Sequence, residues 1–279
     1  MKAGTGPRSP HQRVTAARRL LKRSFRERDR AFLAEGPQAV REALAPESAA
    51  GVRELFVSPD AEARNPELVR AAEGRGIPVH RLGADVLAGL SQTVTPQGVV
   101  AVCDLIDVPL AQALATRPRL VVVLAQVRDP GNAGTVVRAA DAAGADAVVL
   151  TSASVDPYNG KCVRASAGSL FHLPLVAGVA VEDAVAGLRA AGLQVLAADG
   201  AGSRDLDEAA DDGLLAAPTA WIFGNEAWGL PAEVAALADH VVRVPIHGRA
   251  ESLNLATAAA VCLYASARAQ RRPRPRPSA

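Results

Sequence analysis

The chain has 279 residues, 49% of them hydrophobic, 22% charged and 3% aromatic, with a net charge of +2. That length and apolar content allow one large or two medium domains with a sizeable core. Cys103, Cys162 and Cys262 lie far apart without C-x-x-C spacing, which excludes a disulfide framework or structural zinc site and points to a reducing compartment. No apolar run nears the roughly 20 residues that span a bilayer, and the basic N-terminus lacks the apolar stretch of a signal peptide, so a cytoplasmic location is expected.

The small net charge hides a segregation. Residues 1–30 hold ten Lys or Arg against Glu27 and Asp29, for +8, and the tail from Arg268 adds +5 with no acid. The remainder therefore carries −11. Basic ends on an acidic body fit a polyanionic partner, most simply nucleic acid, with Arg18, Arg19, Arg23 and Arg26 as phosphate contacts. A coding bias towards arginine is the competing explanation, because only Lys2, Lys22 and Lys161 are lysines.

In chain order, residues 1–13 and 271–279 are rich in Pro and Arg and are expected to be disordered. Residues 14–104 carry short apolar runs at 55–57, 77–79 and 98–103, with helical spacing at 37–44, and read as a small α/β domain. Residues 105–118, bounded by Pro109 and Pro118, are the expected linker. From 119 to 270 strands and helices alternate. Strands are expected over 119–127, 146–151, 193–198, 220–223 and 241–244, and helices over 133–143 (capped by Gly144), 181–191, 231–239 and 252–268. Nearly unbroken apolar strands between helices predict a parallel sheet covered on both faces.

Polar residues cluster where these strands stop, the usual place for a ligand site in an open α/β sheet. Asn132 follows Asp129-Pro130-Gly131 and reads either as a helix cap or as a site residue. Arg138, six residues on, is flanked by Val136, Val137, Ala139 and Ala140; it reads either as a buried guanidinium, which needs an anionic partner, or as an exposed surface arginine. Glu226 sits between Gly224 and Gly229 in what is either a ligand loop or an ordinary turn. Ser252 reads as a cap of the last helix or as a site residue, with Asn254 in the first turn. His11, His80, His172, His240 and His247 are scattered, so no metal is expected. A Walker loop, a dinucleotide fingerprint and a Ser-hydrolase elbow are all absent.

Together the segments D129-P-G-N-A-G-T-V-V-R138, K161-C-V-R-A-S-A-G168, F223-G-N-E-A-W-G-L230 and V244-P-I-H-G-R-A-E-S-L-N-L255 resemble the SpoU–TrmH branch of the SPOUT superfamily over residues 14–268. These are S-adenosylmethionine-dependent RNA ribose 2′-O-methyltransferases. The resemblance implies an N-terminal L30e-like α/β domain that binds the RNA substrate over 14–104, followed by a SPOUT α/β-knot catalytic domain with a deep trefoil knot over 119–270. It further implies a homodimer whose active site draws on both subunits, and 23S ribosomal RNA as the substrate. A tRNA ribose methyltransferase, or a catalytically silent RNA-binding ribosome-assembly factor, is the alternative. Asn132, Arg138, Glu226, Ser252 and Asn254 take the catalytic positions. Ala198, Gly224, Val244, Ile246 and Leu253 take the S-adenosylmethionine positions. Arg138 activates the ribose hydroxyl by resemblance; a guanidinium keeps its proton in proteins, so it suits stabilisation of an oxyanion better than proton abstraction.

Overall fold

The computed structural model describes residues 10–271. It divides into two compact units, one reaching Ile106 and adding Tyr158–Phe171, the other formed by Asp107–Pro157 and the chain from His172. The first unit is built on a four-stranded sheet of β1 (Ala31–Glu35), β2 (Val52–Val57), β3 (Val79–Arg81) and β4 (Val99–Asp104), in the order β1-β4-β2-β3. β4 is antiparallel to both β1 and β2, and β2 is parallel to β3. Phe32 on β1 is fully buried and packs its ring against Tyr158 at 4.8 Å and Phe171 at 6.0 Å. The Tyr158 hydroxyl accepts from the Ile106 N–H at 2.9 Å. Those ring contacts tie the segment Tyr158–Phe171 into this core, although in sequence it lies among the elements of the second region.

The second unit carries a seven-stranded sheet: β5 (Leu120–Leu124), β6 (Ala147–Thr151), β7 (Leu175–Val179), β8 (Gln194–Ala198), β9 (Arg204–Asp205), β10 (Thr219–Phe223) and β11 (His240–Arg243). The order is β7-β6-β5-β10-β8-β11-β9, and every pairing is parallel. All five residues of β5, β6 and β10 are buried, as strands covered on both faces must be. The helix Pro130–Ala143 starts with Pro at its first turn and ends at Gly144, whose φ of 71° is the left-handed cap that glycine adopts without strain. The last helix, Leu255–Arg271, packs on the sheet, where Trp221 donates from Nε1 to the Ser266 hydroxyl at 2.9 Å.

Several expected boundaries move. A helix, Pro10–Arg19, begins inside the stretch read as disordered, and the last helix continues to Arg271; residues 1–9 and 272–279 lie outside the described residues. The stretch read as a linker contains the helix Leu110–Leu114, with Ala113 buried and Val108 donating to the Leu175 carbonyl at 2.8 Å. The helix expected over 231–239 is the single turn Ala232–Ala235. Arg26 is buried rather than available to phosphate, since its guanidinium donates to the carbonyls of Leu20 and Leu21 at 2.8 and 3.0 Å. Arg23 is paired with Glu27 at 2.7 Å, whereas Arg18 stays exposed.

Candidate active site

Because the sheet is parallel, the strands that end beside one another bring their following loops to one edge. A cavity of about 440 Å3 opens there, at the ends of β8, β10 and β11. Ala198 closes β8, Gly224 follows β10, and Val244 and Ile246 follow β11. Ser252 and Leu253, just before the last helix, line the same space, as does Glu226. The cofactor positions expected from sequence therefore share one cavity. The wall has no room for a side chain at Gly224: a Cβ there would stand 2.4 Å from the Gly229 carbonyl oxygen. Asp199, Glu226 and Glu251 face the cavity with only Arg243 to offset them. Arg243 is itself turned to the Gly202 carbonyl at 3.0 Å, so the lining is net acidic and favours a cationic ligand.

The polar residues beside this cavity form a chain of hydrogen bonds. The Glu226 carboxylate accepts from the backbone N–H of Arg128 at 3.4 Å and of Asp129 at 3.3 Å, and from Asn132 Nδ2 at 3.2 Å. Asn132 Oδ1 in turn accepts from Asn254 Nδ2 at 3.2 Å. Residues 94 and 122 positions apart are thus held side by side. The two readings of Asn132 are now distinguished. Asp129 is the helix cap, accepting from the Asn132 N–H at 2.8 Å, which leaves the Asn132 amide to face Glu226 and Asn254. Likewise Asn254, not Ser252, caps the last helix, accepting from the Ala256 N–H at 2.9 Å. Ser252 lies ahead of that helix on the cavity wall.

The loop that carries Glu226 is fixed by Asn225, a residue to which composition and spacing gave no role. Asn225 is buried, exchanges backbone hydrogen bonds with Gly229 at 2.8 and 3.0 Å, and donates from Nδ2 to the Gln126 carbonyl at 2.9 Å. Gln126 holds φ at 58°, a left-handed conformation unusual for a residue with a side chain and one that marks sites where backbone is constrained. The strand end at β5 thus supplies backbone donors and an acceptor to the Glu226 loop and does not itself line the cavity.

Arg138 departs from expectation. It is exposed rather than buried, stands outside the cavity lining, and forms no hydrogen bond or ion pair with a described residue. The helical repeat explains this: it places Arg138 about 9 Å along the helix and about 240° around it from Asn132. Among the described residues no group of His, Cys, Asp and Glu could hold a metal ion.

Residues 119–264 match the SpoU rRNA Methylase family, and residues 33–108 match the RNA 2′-O ribose methyltransferase substrate binding family. The chain is 36% identical to the 23S rRNA (guanosine(2553)-2′-O)-methyltransferase RlmP of Bacillus subtilis, over 91% of this chain and 95% of that protein. It is 33% identical to the 23S rRNA (uridine(2479)-2′-O)-methyltransferase of Streptomyces viridochromogenes, over 94% and 96% of the two chains. Among solved structures, the AdoMet-bound rRNA methyltransferase of Sinorhizobium meliloti superposes with a TM-score of 0.78 at 33% identity, covering 96% of this chain and 97% of its own.

Proposed function

Because the chain belongs to the SpoU rRNA methylase family, we propose that it uses S-adenosylmethionine to methylate a ribose 2′-hydroxyl of 23S ribosomal RNA. The observation that carries this reading is the single cavity at three strand ends, flanked by the hydrogen-bonded series Asn254–Asn132–Glu226. Its residues fit the cofactor. Val244, Ile246 and Leu253 offer an apolar surface for adenine, Gly224 lets backbone approach closely, and the acidic lining suits a sulfonium. When bound, S-adenosylmethionine supplies an activated methyl group on a good leaving group, so the protein's task is positioning and charge stabilisation.

Glu226 and Asn132 orient the site, and Asn254 and Ser252 fix the segment that closes the cofactor cavity. Arg138 lowers the energy of the oxygen that develops negative charge as the ribose hydroxyl attacks. Its exposed, partnerless guanidinium on the outer side of the helix Pro130–Ala143 supports a homodimer in which it serves the cavity of the partner subunit. The catalytic unit is read as the trefoil-knotted SPOUT domain. The first unit is read as the L30e-like module that binds the RNA. A cytoplasmic location follows from the substrate.

The test is transfer of a labelled methyl group from S-adenosylmethionine to unmodified 23S ribosomal RNA, followed by mapping of the 2′-O-methyl position. One discrete modified nucleotide is expected. Label confined to bases, or none in ribosomal RNA, would overturn the reading.

A further inference from the structure

The first unit contains a cavity of its own, of about 320 Å3, lined in part by Glu35, Thr93, Thr95, Gln97, Arg164 and Ala167. A space of that size suits a small organic group. Glu35 ends β1 with its side chain only 7% exposed, and both carboxylate oxygens are engaged, one by the Ser91 hydroxyl and the other by Arg164 Nη1 at 2.8 Å. The negative charge is thereby neutralised, and the site offers no cradle for a cation. Arg164 is held on one side by Glu35, and its Nε and Nη2 donate to no described residue.

Another part of the lining is built around Gln97. Its Oε1 lies 2.7 Å from where a Cβ on Gly36 would stand, and Gly36 has φ +95°, a left-handed conformation that favours glycine. Gln97 is exposed and its amide bonds no described residue. Ala167, a third wall, holds φ at 49°, and Val94, between the two lining threonines, is fully exposed to water. Constrained backbone of this kind clusters at ligand sites.

We propose that this cavity receives one unstacked RNA nucleobase, with the Arg164 guanidinium as its stacking plane and the Gln97 amide reading its edge. The proposal rests on the chain acting on RNA. A neutral cavity with an amide, two hydroxyls and a planar guanidinium matches the way single-stranded RNA is recognised, by stacking on aromatic or guanidinium planes and hydrogen bonding along base edges. With 3% aromatic residues in the chain, arginine is the planar group at hand.

The experiment compares binding of the full chain to random-sequence RNA octamers and to abasic octamers, which keep the sugars and phosphates. The wild type should bind the intact octamers about five- to thirty-fold more tightly, the ratio that one or two kcal/mol of stacking produces. Gln97→Ala, on an exposed side chain, and Arg164→Lys, which keeps the charge opposite Glu35 but not the plane, should each erase most of that preference with the unfolding midpoint unchanged. Equal wild-type affinity for intact and abasic RNA would assign the cavity to phosphate and overturn the proposal. So would unaltered preference in both folded variants, or no binding of intact octamers at all. Failure of methyl transfer to ribosomal RNA would instead overturn the enzymatic reading, because this binding comparison involves no methyl transfer.

Discussion

Gly224 is confined by backbone, not by flexible side chains, since the atoms that a Cβ would meet are the Gly229 carbonyl and the Leu230 nitrogen, at 2.4 and 2.7 Å. Gly224→Ala must therefore push the Glu226 loop outward, a strain of about 1–3 kcal/mol. Because that loop forms part of the cavity wall, calorimetry should show S-adenosylmethionine affinity falling by about tenfold or more in a protein that still folds. An unchanged Kd would place the cofactor elsewhere. Arg138 makes the complementary case, as a side chain outside the cavity lining. Arg138→Ala should leave cofactor affinity intact and abolish most turnover, and Arg138→Lys should rescue poorly for want of the planar fork. Retention of more than about a tenth of wild-type turnover, less than about 1.4 kcal/mol of barrier, would remove Arg138 from the chemistry.

At the level of elements, the second sheet depends on a carboxylate just ahead of β11. Burial alone would raise the pKa of Asp239, but the Val195 N–H at 2.7 Å and the Arg189 guanidinium at 2.5 Å outweigh it and hold it below the usual carboxylate value. The ionised form thus stabilises the fold above about pH 4, and that stabilisation is lost as pH falls through the lowered folded-state pKa. Asp239→Asn should lower the thermal midpoint at neutral pH by about 2–4 °C, as expected for a loss near 1 kcal/mol. The gap should close in acid; a gap of constant size down to pH 2 would show that the charge is irrelevant. The elements legible in the sequence were those whose own residues decide them, such as β5, β6 and β10 with their continuous apolar runs. β1 was not legible, because its Glu35 is buried with its partners Ser91 and Arg164, 56 and 129 positions away. β7 and the two-residue β9 gain definition from their parallel neighbours, which no local pattern announces. The start of the last helix was misplaced for a related reason, because Ser252 and Asn254 are equally good caps by residue type and only the fold selects Asn254.

For the molecule as a whole, one chain does not bring together all the positions proposed as catalytic. Asn132 is hydrogen-bonded to both Glu226 and Asn254, whereas Arg138 leaves the same helix on a different side. In the proposed homodimer a second copy of the chain would supply the missing arginine, since the two-fold symmetry of a dimer repeats every cross-subunit contact and completes two sites at once. Such an arrangement has a genetic signature. If Arg138 serves the partner's cavity, a heterodimer of an Arg138→Ala subunit with a Glu226→Ala subunit has one site with both residues intact and one with both lost. It should recover about half of wild-type activity, although each variant homodimer is inactive. If Arg138 serves its own cavity, each of the two sites in that heterodimer carries one lesion and activity stays near zero. Differently tagged subunits, co-expressed and purified through both tags, allow the measurement, and sedimentation at micromolar concentration must show a dimer. An inactive heterodimer, or a monomer that turns over at the full rate, would return Arg138 to its own subunit.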